Sequence, residues 1–273
     1  MRRVPAPAKI NLALVVGALR PDGKHEVATV LQRVDLGDRI QLERSPNGLE
    51  VAGFAGDTLV RRALEAVADE AGAEPHWRAT ITKRIPVAAG LGGGSSDAAA
   101  ALRLANETLD ERVPEDRLHE IAARLGADVP FFLAPGPQLA EGDGTYLRPL
   151  DLPQDFFVVL VLPHGAAKGS TKAVYEAHDR RRGAEGFPER RAALLAALAQ
   201  VQRPRDLAAL PPNDLATSPL AVELTALGAF RADVSGAGPT VYGLFHHRAQ
   251  AEAARRRLSR FGRAWLTIPA WYG

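Results

Sequence analysis

The chain has no cysteine, which excludes disulfides, thiolate catalysis and sulfur-ligated metals. Long hydrophobic runs are missing too. The longest apolar stretch, FFVVLVLP at 156–163, is far too short to cross a bilayer and suits a buried strand. The opening, MRRVPAPAKINLALVVGALR, places two arginines before an apolar run, but Lys9 and Asn11 interrupt that run. It therefore reads as a strand and not as a signal peptide. The expected address is the cytoplasm, with no membrane partner. Nor is there an excess of charge: 34 Lys+Arg against 32 Asp+Glu leave a formal net charge of +2, which gives no footprint for nucleic acid. Lysine itself is scarce, with five in the chain.

What is present is an ordinary globular composition, 46% hydrophobic and 24% charged over 273 residues, enough for one large or two medium domains. Strand-like segments are AKINLALVV, DRIQLERS, GLEVAGF, WRATITKRI, FFVVLVLP, FRADVSG, PTVYGLF and RAWLTIPAW. Most alternate polar and apolar residues, so one face meets the core. Helical periodicity marks TLVRRALEAVADEAG, SSDAAAALRLANETL, PEDRLHEIAARLG, STKAVYEAHDRRR, PERRAALLAALAQV, SPLAVELTALG and RAQAEAARRRLSRFG, several with Ser, Thr or Pro at the start and Gly at the end. The order predicts an α+β fold with mainly antiparallel sheets. LRPLDLPQD at 147–155, with two prolines, marks a boundary between domains at 1–148 and 149–273.

One stretch is unusual. RIPVAAGLGGGSSDAAAAL at 84–102 puts four glycines in five positions directly before a helix, although each glycine loses more backbone freedom on folding than any other residue. Ser95, Ser96 and Asp97 are helix-capping types and the following alanines are strong helix formers. A bare backbone ending at a helix N-terminus is suited to phosphate, because unpaired amides and the positive end of the helix dipole face the anion. The plainer reading is a surface turn with a serine cap. No lysine follows Gly94, so the Walker loop is absent, and no kinase H-R-D or D-F-G occurs. A dinucleotide loop fits poorly, since the preceding ATITKRI carries Lys83 and Arg84 where a central parallel strand is apolar.

Other segments leave alternatives open on residue chemistry alone. In PAKINLAL, period two places Ala8, Ile10, Leu12 and Leu14 on one face and Lys9 with Asn11 on the other. The lysine is either functional or a solvated charge on a half-exposed strand. Asp128, in RLGADVPFF, follows a helix closed by Gly126 and reads first as the N-cap of a short helix from Val129. SGAGPT at 235–240 is a tight turn or a second loop of a site. Tyr175 is a core residue of an amphipathic helix or a ligand-stacking ring. His246 and His247 have no third metal ligand in reach, RRRLSR at 255–260 and DRRR at 179–182 are solvated helix faces, and Trp265 and Trp271 belong to a C-terminal strand.

Four segments in order, PAKINLAL at 7–14, IPVAAGLGGGSSDAA at 85–99, LGADVPFFL at 125–133 and SGAGPTVYGLF at 235–245, resemble the motifs of the GHMP small-molecule kinases. DGKHE, STKAVY and NDL fall between them as in that family, so the likeness spans nearly the whole chain. Within the family it is narrowest to the branch acting on 4-diphosphocytidyl-2-C-methyl-D-erythritol, in the non-mevalonate route to isoprenoid precursors. The resemblance implies a two-domain GHMP-kinase fold, with an ATP-binding N-terminal domain and a substrate-side C-terminal domain. It implies ATP and Mg²⁺ as cofactors and an acceptor carrying a cytidine diphosphate moiety, with neither nucleic acid nor membrane as partner. Oligomeric state stays open between monomer and homodimer.

Residue by residue, the resemblance makes Asp128 the acceptor of the substrate hydroxyl proton and Lys9 its orienting cation. It assigns the phosphate loop to Pro86, Val87, Ala88, Ala89, Gly90, Leu91, Gly92, Gly93, Gly94, Ser95 and Ser96. Ser95 or Ser96 is the candidate hydroxyl for magnesium arriving on ATP. Asn11, Lys24, His25, Thr171 and Tyr175 fall on the acceptor side, with Tyr175 against the cytosine face and His25 at its edge. The family has an aromatic residue where Lys24 stands, often a serine at Ala237, and often an asparagine at Thr58. Sibling kinases of mevalonate, homoserine or a sugar are the nearest alternatives. A nicotinamide oxidoreductase and a nucleic-acid-binding module of related topology lie further off.

Overall fold

A computed structural model describes residues 2–166 and 170–270. Two long antiparallel strands, β1 (Arg2–Leu19) and β2 (His25–Arg44), form the spine of the first sheet. β2 takes different partners along its other edge: β4 (Trp77–Thr82) against 39–44 and β5 (Gln138–Gly142) against 27–31. β3 (Glu50–Ala52) joins β4 in parallel, and β6 (Tyr146–Pro149) joins β5 antiparallel. The order is β3-β4-β2-β5-β6, with β1 paired to β2. A second, antiparallel sheet runs β10-β7-β9-β8, from β7 (Phe157–Pro163), β8 (Arg231–Val234), β9 (Val241–Phe245) and β10 (Gly262–Thr267).

Three apolar layers hold these elements. In the first, α1 (Leu59–Glu70), α2 (Gly93–Asn106), α3 (Glu115–Leu125) and α4 (Val129–Leu133) share a core with the first sheet through Leu64, Leu102, Ile121, Phe131, Ile40 and Leu42. Alanines on α2, among them Ala98, Ala101 and Ala105, are fully buried; a larger side chain there would overpack at a cost of about 1–3 kcal/mol. The second layer joins the two sheets, Ile10, Leu12 and Val30 meeting Val158, Leu160 and Leu244. The third puts Val159, Val161 and Phe245 against α7 (Pro219–Ala226) and α8 (Arg248–Leu258). β7 is therefore buried on both faces, which is why its sequence is an unbroken apolar run. α5 (Thr171–Arg180) and α6 (Phe187–Leu198) lie beside the first sheet, α5 through Val174 and Tyr175 on Leu14, Val16 and Val27, and α6 against β1.

The expected helices are all present, and the expected strands are joined by others. β5 and the first half of β2 carry no alternation in sequence, because 138–140 and 27–34 are buried on both faces, while β6 is a short, exposed edge strand of four residues. Period two marks only strands with one wet side. The segment 147–155 is not wholly a connector, since β6 takes its first residues. α2 begins at Gly93, with Gly92 in the left-handed region as its cap. Ser95, Ser96 and Asp97 are inside the first turns and do not cap. Trp265 is in β10, while Trp271 lies outside the described residues. Among the described residues no helix is long and apolar enough to cross a membrane.

Candidate active site

Lys9 and Asn11 leave β1 on the same face. The lysine Nζ donates to Asn11 Oδ1 at 2.7 Å, Asn11 Nδ2 donates to Thr29 Oγ1 at 2.8 Å, and that hydroxyl donates to the Ala13 carbonyl at 2.7 Å. Lys9 is only 4% exposed, so it is no solvated charge. The strand does not keep period two beyond Asn11. Pairing jumps from Asn11↔Leu31 to Ala13↔Val30, a β-bulge that gives Leu12 no partner of its own. Leu14 consequently turns to the face of Lys9 and joins Val16, Val27 and Leu215 in a small apolar floor, correcting its expected place with Ile10 and Leu12.

Asp128 precedes α4 but its carboxylate makes no capping hydrogen bond. Its Oδ2 lies 3.5 Å from Lys9 Nζ, with the side chain 38% exposed. One buried ammonium is thus shared between an amide oxygen and a carboxylate open to solvent. The first half of this pair stays fixed while the second remains available for proton transfer.

The glycine loop turns across this pair. Ala88, Gly90 and Gly92 all have positive φ, 56°, 80° and 69°. A Cβ on Gly90 would stand 2.5 Å from the Ser235 carbonyl oxygen, and one on Gly92 would stand 2.9 Å from Lys9 Cγ. Bare backbone is therefore needed for contact with β1 and with the loop 235–240, besides any ligand. Ser235 Oγ donates to the Gly90 carbonyl at 2.9 Å, and the Lys9 amide donates to the Leu91 carbonyl at 2.9 Å. The first helical bond of α2 is Ser96 N–H to the Gly92 carbonyl. The amides of Gly93, Gly94 and Ser95 therefore have no carbonyl within the helix and face the loop.

Beside this turn lies a buried charge cluster that sequence reasoning missed. Lys83 Nζ donates to Asp97 Oδ2 at 2.8 Å and also to Asp38, whose other oxygen accepts the Ile85 amide at 2.8 Å. Burial, then the charge of Asp38, pushes the Asp97 pKa up to about 7, against the pull of Lys83. Burial opposes the Lys83 charge, but the two carboxylates outweigh it and raise its pKa. Asp97 Oδ1 and Ser96 Oγ are buried and without a hydrogen-bond partner. The scarcity of lysine was the available signal: Lys83 is one of five, like Lys9 and Lys24.

On the opposite side, Lys24 Nζ pairs with Asp143 at 2.5 Å. Burial would raise the Asp143 pKa, but Lys24 and the Thr145 hydroxyl and amide outweigh it and hold it near about 2. The His25 ring lies against Tyr175, centroids 4.7 Å apart, and its Nε2 meets Asp179 Oδ1 at 2.9 Å. Tyr175 also packs on the apolar floor of Leu14 and Val16. Burial, reinforced by Asp128, pushes its phenol up to about 12. His25 and Tyr175 thus form one wall.

A cavity of about 970 Å³ connects all of this, and every residue expected to hold nucleotide or acceptor, or to act in catalysis, lines it except Ser96. Ser96 is 1% exposed, and its buried hydroxyl does not line the cavity. Ser95, Gly236 and Ala237 line the cavity, as do Asp97 and Lys83. Among the described residues no group of three His, Asp or Glu could hold a metal.

Residues 58–136 match the family described as GHMP kinases N terminal domain, and 219–264 match GHMP kinases C terminal. A 4-diphosphocytidyl-2-C-methyl-D-erythritol kinase of Anaeromyxobacter sp. (strain Fw109-5) is 40% identical over 269 residues, covering 93% of this chain and 85% of the relative. A solved 4-(cytidine 5'-diphospho)-2C-methyl-D-erythritol kinase superposes with a TM-score of 0.79 at 33% identity, over 98% of this chain and 100% of the other. A mevalonate kinase structure shares the fold, with a TM-score of 0.75, at 12% identity over 98% of this chain and 99% of its own.

Proposed function

The chain belongs to the GHMP kinases, and from that premise we propose that it transfers the γ-phosphoryl group of ATP to a hydroxyl of 4-diphosphocytidyl-2-C-methyl-D-erythritol, the compound named for its full-length relatives. It is an ATP-dependent kinase. The observation that carries the acceptor reading is identity of 33–40% to kinases of this compound, against 12% to a mevalonate kinase of the same fold. The observation that carries the chemistry is the Lys9–Asp128 pair at 3.5 Å, in the same cavity as the first turn of α2.

In this mechanism the acceptor hydroxyl attacks the γ-phosphorus, the β–γ anhydride bond breaks, and ADP leaves as a phosphomonoester forms. Asp128 accepts the hydroxyl proton, and Lys9, held by Asn11, keeps its carboxylate oriented and offsets developing negative charge. The amides of Gly93, Gly94 and Ser95 hold phosphate oxygens at the positive end of α2. Phosphoryl transfer asks for little else beyond positioning.

Mg²⁺ fits as a guest of ATP. The only candidate protein oxygen of the two expected is Ser95, since Ser96 does not reach the cavity. Bound there, the cation would neutralise phosphate charge. Lys24, His25, Thr171 and Tyr175 hold the cytidine diphosphate part. We place the nucleotide side in 1–148 and the acceptor side in 149–273, a division supported by the strand content of the two sheets, although Asn11, Lys24 and His25 cross to the acceptor side. We place the enzyme in the cytoplasm, where its nucleotide substrate is found. A coupled ADP-release assay with the cytidylyl acceptor, mevalonate, homoserine and galactose tests the reading. Turnover confined to the first is expected, and faster turnover of any other would replace it.

A further inference from the structure

We propose that Arg33 is a positioning residue for phosphoryl transfer: it holds the C-terminal end of α4 and so fixes where Asp128 stands against Lys9. The inference rests on the reading of Asp128 as the proton acceptor.

Arg33 and Lys9 are direct partners across β1 and β2, so their side chains leave the same face of the sheet. Each then reaches an opposite end of the same short helix. Lys9 meets Asp128, the residue before α4, at 3.5 Å. Arg33 donates through Nη2 to the Phe131 carbonyl at 2.7 Å and to the Ala134 carbonyl, and through Nη1 to the Gly136 carbonyl at 3.4 Å. Its guanidinium lies over the Phe131 ring, 4.9 Å from the centroid. Arg103 of α2 adds a bond from Nη2 to the Leu133 carbonyl at 2.6 Å.

A helix of five residues cannot hold itself together, because it closes too few hydrogen bonds to offset nucleation. Here Asp128, the residue before it, does not cap it with its side chain, so its geometry is imposed from outside. The two guanidinium groups take up the carbonyls that its last turn leaves free, at the negative end of its dipole. α4 also touches the nucleotide loop directly: a Cβ on Gly92 would stand 3.1 Å from the Phe132 ring and 2.9 Å from Lys9 Cγ. A shift of α4 would therefore move Asp128 relative to both Lys9 and the loop.

Arg33 is costly where it stands. It is 2% exposed, its Nε has no hydrogen-bond partner, and among the described residues no carboxylate pairs with it. Burial, with repulsion from Arg103, lowers its pKa to about 10. A buried charge without an opposite charge is among the costliest groups a core can hold. What an apolar side chain could not do is bridge three carbonyls at the end of the helix that carries Asp128.

The test uses Arg33→Met and Arg33→Lys, each alone and combined with Asp128→Asn, in the full chain. Arg33→Met should lower kcat about 100-fold with KM for ATP unchanged, the size of effect a displacement of about 1 Å produces. Arg33→Lys should recover part of the rate. In the Asp128→Asn background Arg33→Met should change nothing further. An unchanged kcat per folded molecule, or the same fold-loss in the Asp128→Asn background, would overturn the proposal. If Arg33→Met does not fold, Arg33→Lys decides, a wild-type kcat being contrary. Crystal structures give a readout free of activity: the Lys9–Asp128 separation, 3.5 Å in the wild type, should widen in Arg33→Met, and an unchanged separation would contradict the role. Should Asp128→Asn alone leave turnover intact, the proton-acceptor reading fails, while this crystallographic distance still judges Arg33.

Discussion

The two ends of the cavity are built from different materials. The end we propose for the nucleotide is made of main chain and buried charge: positive-φ residues pressed against a second loop, and Lys83 held between Asp38 and Asp97. The end we propose for the acceptor is made of side chains paired with each other, Lys24 with Asp143 and His25 with Asp179. Backbone geometry and buried networks tolerate little change, because each group has neighbours on every side. Half-exposed pairs contribute about 0–1 kcal/mol and exchange partners readily. The contrast supports a proposal in which the rigid end serves the shared handling of the phosphates and the adaptable one the choice of acceptor.

Asp128→Asn, where the two ends meet, should have the largest effect, lowering kcat by about 10²–10⁴-fold with ATP affinity nearly intact, as measured by steady-state kinetics and calorimetry. Gly90→Ala breaks the rigid end. Its Cβ would meet the Ser235 carbonyl at 2.5 Å with φ at 80°, and a strained backbone of that kind costs about 1–3 kcal/mol before the clash is counted. Urea unfolding should show at least that loss, together with weaker ATP binding.

Asp97→Asn probes the buried charge through pH. A carboxyl raised from 3.8 to about 7 on folding binds more protons in the folded state, so its contribution to stability falls as pH rises between those values. Wild-type unfolding free energy should carry this downward component between about pH 4 and pH 7, and Asp97→Asn should remove it. Identical pH profiles for the two proteins would refute the assignment. Lys24→Ala should have the smallest effect: a severalfold rise in KM for the acceptor, none in KM for ATP, and reduced salt dependence of acceptor binding. A fall in kcat of the size seen for Asp128→Asn would erase the distinction between the two ends.

How far the sequence reached follows the same divide. Local signals identified the glycine loop, the helix it opens and the pairing of Lys9 with Asn11, because each depends on neighbours in the chain. The bulge at Leu12 was invisible, since only the register of β2 reveals that Leu14 has changed face. Ser95, Ser96 and Asp97 looked like caps because their residue types cap helices, yet the left-handed conformation of Gly92 starts the helix earlier. Asp128 read first as a cap by its residue type; its true partner is 119 positions away on β1. Lys83, Asp38 and Arg33 carry no local pattern at all, for their roles arise from contacts between distant segments.

The proposed mechanism requires the triphosphate to be gripped at the start of α2 with the acceptor hydroxyl delivered to Asp128. A crystal structure with a non-hydrolysable ATP analogue and the cytidylyl acceptor tests it most directly. Phosphate oxygens are expected on the amides of 93–95, and the acceptor hydroxyl about 3 Å from the Asp128 carboxylate. Phosphates bound away from that turn, or a hydroxyl out of reach of Asp128, would contradict it.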